Sequence, residues 1–219
     1  MENEKKYIKG LQDSKVLPLS ENDYLHNILK PSALTLNVQL VGSNPKIWRR
    51  FVTRNDITLH EFHQLLSIIM GWQNEDGHLY EFELHGLRFS EPDEEDLETL
   101  NIPLNSTRVT LAQIVNSAKD KFSYHYDFGD DWYHEISIVS ILPLEKNMIY
   151  PQCLVGEGAC PPENIGGIES YYDMLSDLKK GGEKTAEIKE WLEECGYKNF
   201  DPSHFDIEET NALLKKTGV

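Results

Sequence analysis

The feature that most constrains the fold is a β-hairpin pattern between residues 122 and 142. Aromatic residues occupy every second position from Phe122 to Phe128, and the turn sequence Gly129-Asp130-Asp131 follows them. A second alternating run extends from Trp132 to Leu142. Alternation with a period of two residues is typical of a strand with one buried face. The pattern therefore predicts two long antiparallel strands that present an aromatic face to a core.

The hydrophobic pattern also predicts the register of this hairpin. A three-residue loop of Gly129, Asp130 and Asp131 keeps one face apolar, whereas a two-residue loop would mix the two faces. The opposed pairs expected from the three-residue loop are Phe128–Trp132, Tyr126–His134 and Tyr124–Ile136. The other face would then carry His125, Asp127, Tyr133 and Glu135.

The remaining elements interleave strands and helices. Two runs, 34–40 and 47–53, predict a hairpin around a turn at Gly42–Pro45, and 79–84 and 87–89 read as further strands. Thr58 and Glu61 have the spacing of a capping box, which predicts a helix to about Met70 that ends at Gly71. Apolar residues at helical spacing predict a short helix after Thr110, two helices beyond Gly167 and a last helix at 207–214. Cys195 lies in the second of the two helices beyond Gly167 and is expected to be a small buried residue.

This order predicts an α+β fold, with a mixed, largely antiparallel sheet built from β-hairpins, helices packed on it and a helical C-terminal region from about residue 166. Residues 1–30 are expected to be a partly mobile extension with a short helix from Ser20 to Leu29, and 31–219 a single domain. The segment from Cys153 to Gly167 is rich in proline and glycine and predicts an irregular loop.

Charge and cysteine usage exclude several classes of protein. The formal net charge is −16, and residues 91–100 hold six acids and no base, so direct DNA binding is not expected. Three cysteines in 219 residues do not form a disulfide framework, which favours the cytoplasm. No apolar run is long enough to span a membrane, so no membrane partner is expected.

Several motifs together resemble the plasmid open-reading-frame-three-like family of the pRiA type, whose members are also described as insertion-element passengers. The resemblance covers residues 33–214 and departs from the family pattern at Asn164 and Ser170. Its motifs are Pro45-Lys-Ile-Trp-Arg-Arg50, Leu59-His60, Met70-Gly-Trp72, His78-Leu79, Tyr126-Asp-Phe-Gly-Asp-Asp-Trp-Tyr-His134, Ala159-Cys-Pro-Pro-Glu163 and Phe200-Asp-Pro with Phe205-Asp206. The resemblance implies a mobile-element setting, and nothing in the sequence resembles the catalytic arrangement of a recombinase.

Nine residues are candidates for a binding site. Trp48 and Arg50 share a strand face that suits a carboxylate or phosphate, although pairing of Arg50 with Asp127 or Glu81 is the ordinary alternative. His134 is either a structural histidine or a ligand or base beside Trp132. The other candidates come from the motifs and from a carboxylate cluster: His78, Asp127, Asp130, Cys160 and Glu163. His60 and His63 are expected on a solvated helix face.

The leading hypothesis is a non-enzymatic recognition domain that binds a protein or a small molecule near the 127–134 turn and the 153–167 loop. One alternative is a metal-dependent hydrolase that uses His134, Cys160 and nearby carboxylates, although the cysteine spacing is not that of a structural zinc site and no metal is assigned. A second alternative is a DNA-associated accessory factor that acts through Trp48, Arg49, Arg50 and Arg54. The sequence identifies no cofactor and no oligomeric state.

Overall fold

A computed structural model describes residues 30–72, 77–91 and 103–217. The predicted helix at Ser20–Leu29, nearly all of the N-terminal extension and most of the acidic segment lie outside these residues. The described residues form an eight-stranded sheet in the order β5-β4-β3-β6-β7-β1-β2-β8, antiparallel except between β4 and β5. The strands are β1 (Ser32–Leu40), β2 (Trp48–Arg54), β3 (Tyr80–Leu84), β4 (Leu87–Ser90), β5 (Leu104–Asn105), β6 (Lys121–Tyr126), β7 (Trp132–Pro143) and β8 (Gln152–Glu157).

Within the described parts of the chain five helices accompany the sheet, which confirms the predicted α+β class. They are α1 (Leu59–Met70), α2 (Leu111–Ile114), α3 (Gly167–Lys180), α4 (Glu183–Glu194) and α5 (Ile207–Thr217). The capping box at Thr58 and Glu61 is present, and Gly71 ends α1 in the left-handed conformation at φ 111°, as the sequence predicted. Helix α1 buries Phe62, Leu66 and Ile69 against the inner face of the sheet. His63 is also buried, so its predicted place on a solvated face is wrong.

The central hairpin has the predicted faces but a different register. Tyr124 lies opposite His134 and Tyr126 opposite Trp132, so the loop contains five residues, 127–131, instead of three. The predicted pairs were displaced by two residues, which keeps every side chain on the same face. Phe128 lies beyond the end of β6 and is exposed. Asp127 is buried, although the sequence placed it on the outer face.

Strand β8 was missed, because the sequence placed its residues within an irregular loop. It pairs with β2 and forms one edge of the sheet. Helix α5 packs against this edge, and the side-chain amide of Asn211 bonds both main-chain groups of Cys153. The amide oxygen accepts from Cys153 N at 2.8 Å, and the amide nitrogen donates to Cys153 O at 3.0 Å. The side chain thus takes the place of a neighbouring strand.

Helices α3 and α4 pack on each other beyond the sheet. Tyr171 and Met174 of α3 and Leu192 of α4 join the core. Cys195 follows the end of α4 and is exposed, so the prediction that it is a buried apolar residue is wrong. The helical C-terminal region therefore contributes to the core through a few large side chains.

Candidate functional site

The loop of the central hairpin is organised by Asp127. This residue adopts a left-handed conformation at φ 54°, and its main-chain N–H donates to Leu79 O at 2.9 Å. Its carboxylate accepts from Gly129 N at 2.9 Å and lies 3.5 Å from Nδ1 of His78. Asp127 O accepts from Asp131 N at 2.7 Å, which closes the loop. The carboxylate therefore has a structural role in shaping the turn.

The hairpin loop lies directly against the segment that contains Cys160 and Glu163. The hydroxyl of Tyr126 donates to Oε1 of Glu163 at 2.7 Å. Gly166 N donates to both carboxylate oxygens of Asp130, at 3.1 Å each. A Cβ atom at Gly167 would lie 2.6 Å from Asp130 O, so only glycine permits this approach. Four predicted residues, His78, Asp127, Asp130 and Glu163, are thus brought into one junction.

Trp132 and His134 lie behind this junction, on the inner face of β7. Each has only 1% of its surface exposed. Nδ1 of His134 lies 3.2 Å from Tyr124 O, and burial lowers the pKa of His134 to about 3. The ring of Trp72 packs on both, with centroids 6.0 Å from Trp132 and 5.2 Å from His134. His134 is therefore neutral at physiological pH.

Trp48 and Arg50 lie on the opposite, outer face of the sheet. Trp48 Nε1 donates to Glu157 Oε2 at 3.3 Å, and Arg50 Nε donates to Asn37 Oδ1 at 2.7 Å. The expected pairing of Arg50 with Asp127 or Glu81 is wrong, since Glu81 accepts from Arg88 at 2.6 Å. The structure does not bring this pair of residues to the hairpin junction.

The sequence named Arg49 only as one of the residues of a DNA-associated accessory factor, but this side chain is 1% exposed and lies next to Cys160 and Cys153. Its five N–H groups donate to five main-chain carbonyls: Ile69 and Met70 at the end of α1, Trp48 in β2, and Glu157 and Gly158 at the end of β8. Burial lowers the pKa of the guanidinium. Phe205 covers one face of this group, with 3.8 Å between Cζ and the ring centroid. Arg49 therefore ties α1 to the edge of the sheet.

Arg49 lines a cleft of about 890 Å³. The cleft lies between the end of α1, the residues Ala159 and Cys160, and the C-terminal stretch 196–216. Its aromatic lining residues are Trp72, Tyr197, Phe200 and Phe205. Its charged or titratable lining residues besides Arg49 are Lys198, Asp201, His204, Asp206, Glu209 and Lys216. The cleft combines an aromatic interior with charges of both signs.

Cys160 forms part of the cleft wall. Burial raises the pKa of its thiol well above the ordinary value, although the nearby charge of Arg49 opposes the shift. The thiol is therefore protonated at neutral pH, which does not suit a nucleophile. Tyr197, on the other side of the cleft, accepts a hydrogen bond from Glu163 N at 3.1 Å. The segment 160–163 thus faces the cleft on one side and the hairpin junction on the other.

Comparison with known proteins places the chain in a family. The sequence profile described as plasmid pRiA4b ORF-3-like protein matches residues 32–209. The chain belongs to this family. It is 35% identical over 185 residues to the uncharacterized protein y4hQ of Sinorhizobium fredii (strain NBRC 101917 / NGR234), which covers 84% of this chain and 91% of the relative. It is also similar to a crystal structure of a protein of unknown function, MM3350 from Methanosarcina mazei Go1, with a TM-score of 0.71, 28% identity, and coverage of 83% of this chain and 98% of that chain.

Four of the motifs through which the chain resembles the plasmid pRiA4b ORF-3-like family come together at the cleft. Arg49 belongs to the motif Pro45–Arg50, Met70 and Trp72 belong to the motif Met70-Gly-Trp72, and Ala159 with Cys160 belongs to the motif Ala159–Glu163. Phe200, Asp201, Phe205 and Asp206 belong to the C-terminal motif. The candidate residues from the sequence included Cys160 but none of the C-terminal motif, although that motif was visible. Lys198, His204 and Glu209 had no distinguishing sequence signal.

Potential metal ligands converge at one place in the part of the chain that is described. The ligand atoms of His204, Asp206 and Glu209 lie within 4.8 Å of one another, and all three residues are exposed. Asp206 also accepts from Glu208 N at 2.8 Å and Glu209 N at 3.0 Å, so capping of α5 accounts for its position. His134 and Cys160 are not in this group.

Two findings bear on the setting of this family member. All three cysteines are free, with Cys153 and Cys160 buried and Cys195 exposed. Among the described residues, no helix has both the length and the apolar character required to cross a lipid bilayer.

Proposed function

We propose that this member of the plasmid pRiA4b ORF-3-like family is a binding protein, and that its ligand occupies the cleft floored by Arg49. The observation that carries the proposal is the convergence of four separate family motifs on this one concave surface. Each motif comes from a different part of the chain, and the fold brings them to the same place. This site lies on the other side of the 160–163 segment from the hairpin junction.

The size and lining of the cleft support a ligand of the size of a small molecule or a short peptide. Ligand sites commonly have volumes of roughly 300–1,000 Å³, an apolar lining and a few fixed polar groups. Trp72, Phe200 and Phe205 supply the apolar surface, while Lys198, Lys216 and Glu209 supply charge at the cleft. Leu213, a cleft residue, is 44% exposed and offers apolar surface to a partner.

The two alternative functions receive less support. The DNA-binding hypothesis needs arginines that reach phosphates, but Arg49 is buried and Arg50 bonds Asn37. Arg54 Nε donates to Asp56 at 2.9 Å. The hydrolase hypothesis needs His134 and Cys160 at one centre, and they are not among the ligands that converge in the described residues. Binding without catalysis is therefore the function we propose.

The test is a ligand screen by NMR with two probe sets: a library of small aromatic and carboxylate-bearing fragments, and a library of random short peptides. Compounds that bind should shift the resonance of the Trp72 indole N–H, because this side chain lines the cleft. Leu213→Asp should weaken their binding at least tenfold, since it places a charge on the exposed apolar wall.

Leu142→Asp is the matched control, because Leu142 is 55% exposed and does not line the cleft. It should bind the same compounds as the natural sequence. Binding that maps to the hairpin junction or the outer sheet face, or equal loss in both variants, would contradict the proposal. The absence of any binder in both libraries would count against it as well.

We also place the protein in the cytoplasm and in a mobile-element setting. The three free cysteines support a reducing compartment, because paired cysteines are usual in secreted proteins of similar size. The mobile-element setting is supported by the plasmid origin in the family description. Fractionation of cells that express the tagged protein tests the first point, and the genes that surround family members test the second.

A further inference from the structure

Two buried polar atoms on the inner face of β7 have no hydrogen-bond partner among the described residues. They are Nε1 of Trp132 and Nε2 of His134. Both residues are 1% exposed, so bulk water does not reach them. More than nine in ten buried polar groups in native proteins have a partner, because leaving one unpaired is costly. Two unpaired atoms on the same face of one strand therefore require a hydrogen-bond partner that the protein itself does not supply in the described residues.

The tautomer of His134 determines what its free atom can do. Nδ1 lies 3.2 Å from Tyr124 O, and a carbonyl oxygen can only accept a hydrogen bond. Nδ1 must therefore carry the hydrogen. Burial keeps the ring neutral at physiological pH, so Nε2 presents a lone pair and acts as an acceptor.

The free atom of Trp132 is the complement of this acceptor. An indole Nε1–H can only donate a hydrogen bond. Trp132 and His134 are two residues apart, so their side chains leave the same face of β7. Both rings also contact the ring of Trp72, with centroid distances of 6.0 Å and 5.2 Å, so the two side chains share one small region of the core. One small molecule that bonds both atoms, with hydrogen bonds of about 2.9 Å, fits between neighbouring side chains. A molecule that both accepts and donates can therefore satisfy both atoms.

We propose that Trp132 and His134 form an internal hydration site in which one ordered water molecule accepts from Nε1 of Trp132 and donates to Nε2 of His134. The site has polar groups of the two required kinds, as buried waters need. Trp72 lies between this site and the cleft in the sense that it contacts both residues and also lines the cleft, whereas Trp132 and His134 do not line it. The hydration site does not depend on the proposed function of the cleft.

The natural protein itself provides the test. In a ¹⁵N-labelled sample, the indole N–H of Trp132 should show a cross-peak to a long-lived water molecule. The indole N–H of Trp72 is the matched control, because it donates to Pro161 O at 3.1 Å and should show none. A high-resolution crystal structure should show one density peak within hydrogen-bond distance of both free atoms.

A substitution strengthens the test. His134→Phe removes the acceptor and should abolish the Trp132 cross-peak while it leaves the Trp72 resonance in place. If this variant does not fold, the two measurements on the natural protein still decide. A dry site, a protein group bonded to either atom, or a direct bond from Nε1 to Nε2 would overturn the proposal.

Discussion

The carboxylate of Asp130 accepts the main-chain N–H of Gly166, with 3.1 Å from the nitrogen to each carboxylate oxygen. Gly166 is the residue that caps α3, so the hairpin loop places a negative charge at the start of a helix that lies 36 residues later in the chain. The N–H groups at the start of a helix commonly bind an anion. An anion from the protein itself holds that position.

This contact predicts that Asp130→Asn will destabilise the protein by about 1 kcal/mol, since it removes charge near the positive end of the α3 dipole. Chemical denaturation at low ionic strength measures the change. Asp173→Asn is the matched control, because Asp173 is exposed in the same helix. Equal effects of the two substitutions would show that the capping contact contributes nothing.

The hydrogen bonds of Arg49 predict that replacing it by lysine destabilises the protein much more than the same replacement at the neighbouring Arg50. Arg49→Lys keeps the charge but supplies three donors where five carbonyls accept, so buried carbonyls lose their partners. We expect a loss of about 3 kcal/mol or more in the free energy of unfolding.

Arg50→Lys is the control for this prediction. Arg50 is only partly buried, and one hydrogen bond to Asn37 is its described contact, so the loss should be below about 1 kcal/mol. Urea denaturation of both variants makes the comparison. Similar losses at the two positions would contradict the role assigned to Arg49.

The buried histidines predict a loss of stability in acid. Burial lowers the pKa of both His63 and His134 from 6.5 to about 3. As the pH falls below 6.5, both histidines bind protons in the unfolded chain but stay neutral in the folded chain. The free energy of unfolding therefore has its full value above pH 6.5 and decreases toward pH 3. The slope should approach about 1.4 kcal/mol per pH unit for each histidine well below pH 6.5.

Denaturation curves between pH 7.5 and 4.5 measure this slope. His134→Gln removes one of the two titrating groups and should flatten the curve, whatever its effect on stability at pH 7.5. A variant with the same pH dependence as the natural sequence would show that His134 does not resist protonation in the folded state.

The contact between Asn211 and Cys153 predicts how much stability is lost when the edge of β8 is uncovered. Asn211→Ala removes the partners of both Cys153 N and Cys153 O, and the expected loss is about 2 kcal/mol. Thermal unfolding measures it, with Asn147→Ala, at an exposed position, as the control. If the two alanine variants melt together, the amide of Asn211 does not act as a strand partner.

The sequence predicted the faces of the central hairpin but not its register. A displacement of two residues leaves every side chain on its original face, so alternation does not distinguish the two arrangements. The deciding feature is Asp127, which turns to φ 54° and lengthens the loop. Aspartate adopts this left-handed conformation more readily than most residues, but the residues around Asp127 do not predict that it does so here.

The sequence predicted the residues of the hairpin junction but not the role of Arg49 at the cleft. Residues of the 126–134 and 159–163 motifs meet as expected at the hairpin junction, where Tyr126 bonds Glu163. The buried structural role of Arg49 was not predicted, because its partners are main-chain carbonyls, which every residue has. Its alternation with Phe51 along β2 was the available signal, since alternate residues of a strand share a face.

The covered edge of β8 limits how this protein can associate with others. Asn211 bonds Cys153, Arg49 bonds the carbonyls of Glu157 and Gly158, and Ala159 N donates to Pro202 O. These contacts occupy main-chain groups that a foreign strand would need for pairing, so we expect this edge of the sheet to resist extension by another chain. Removal of the C-terminal helix would take Asn211 away from Cys153, and we expect the shortened chain to pair with other strands along β8.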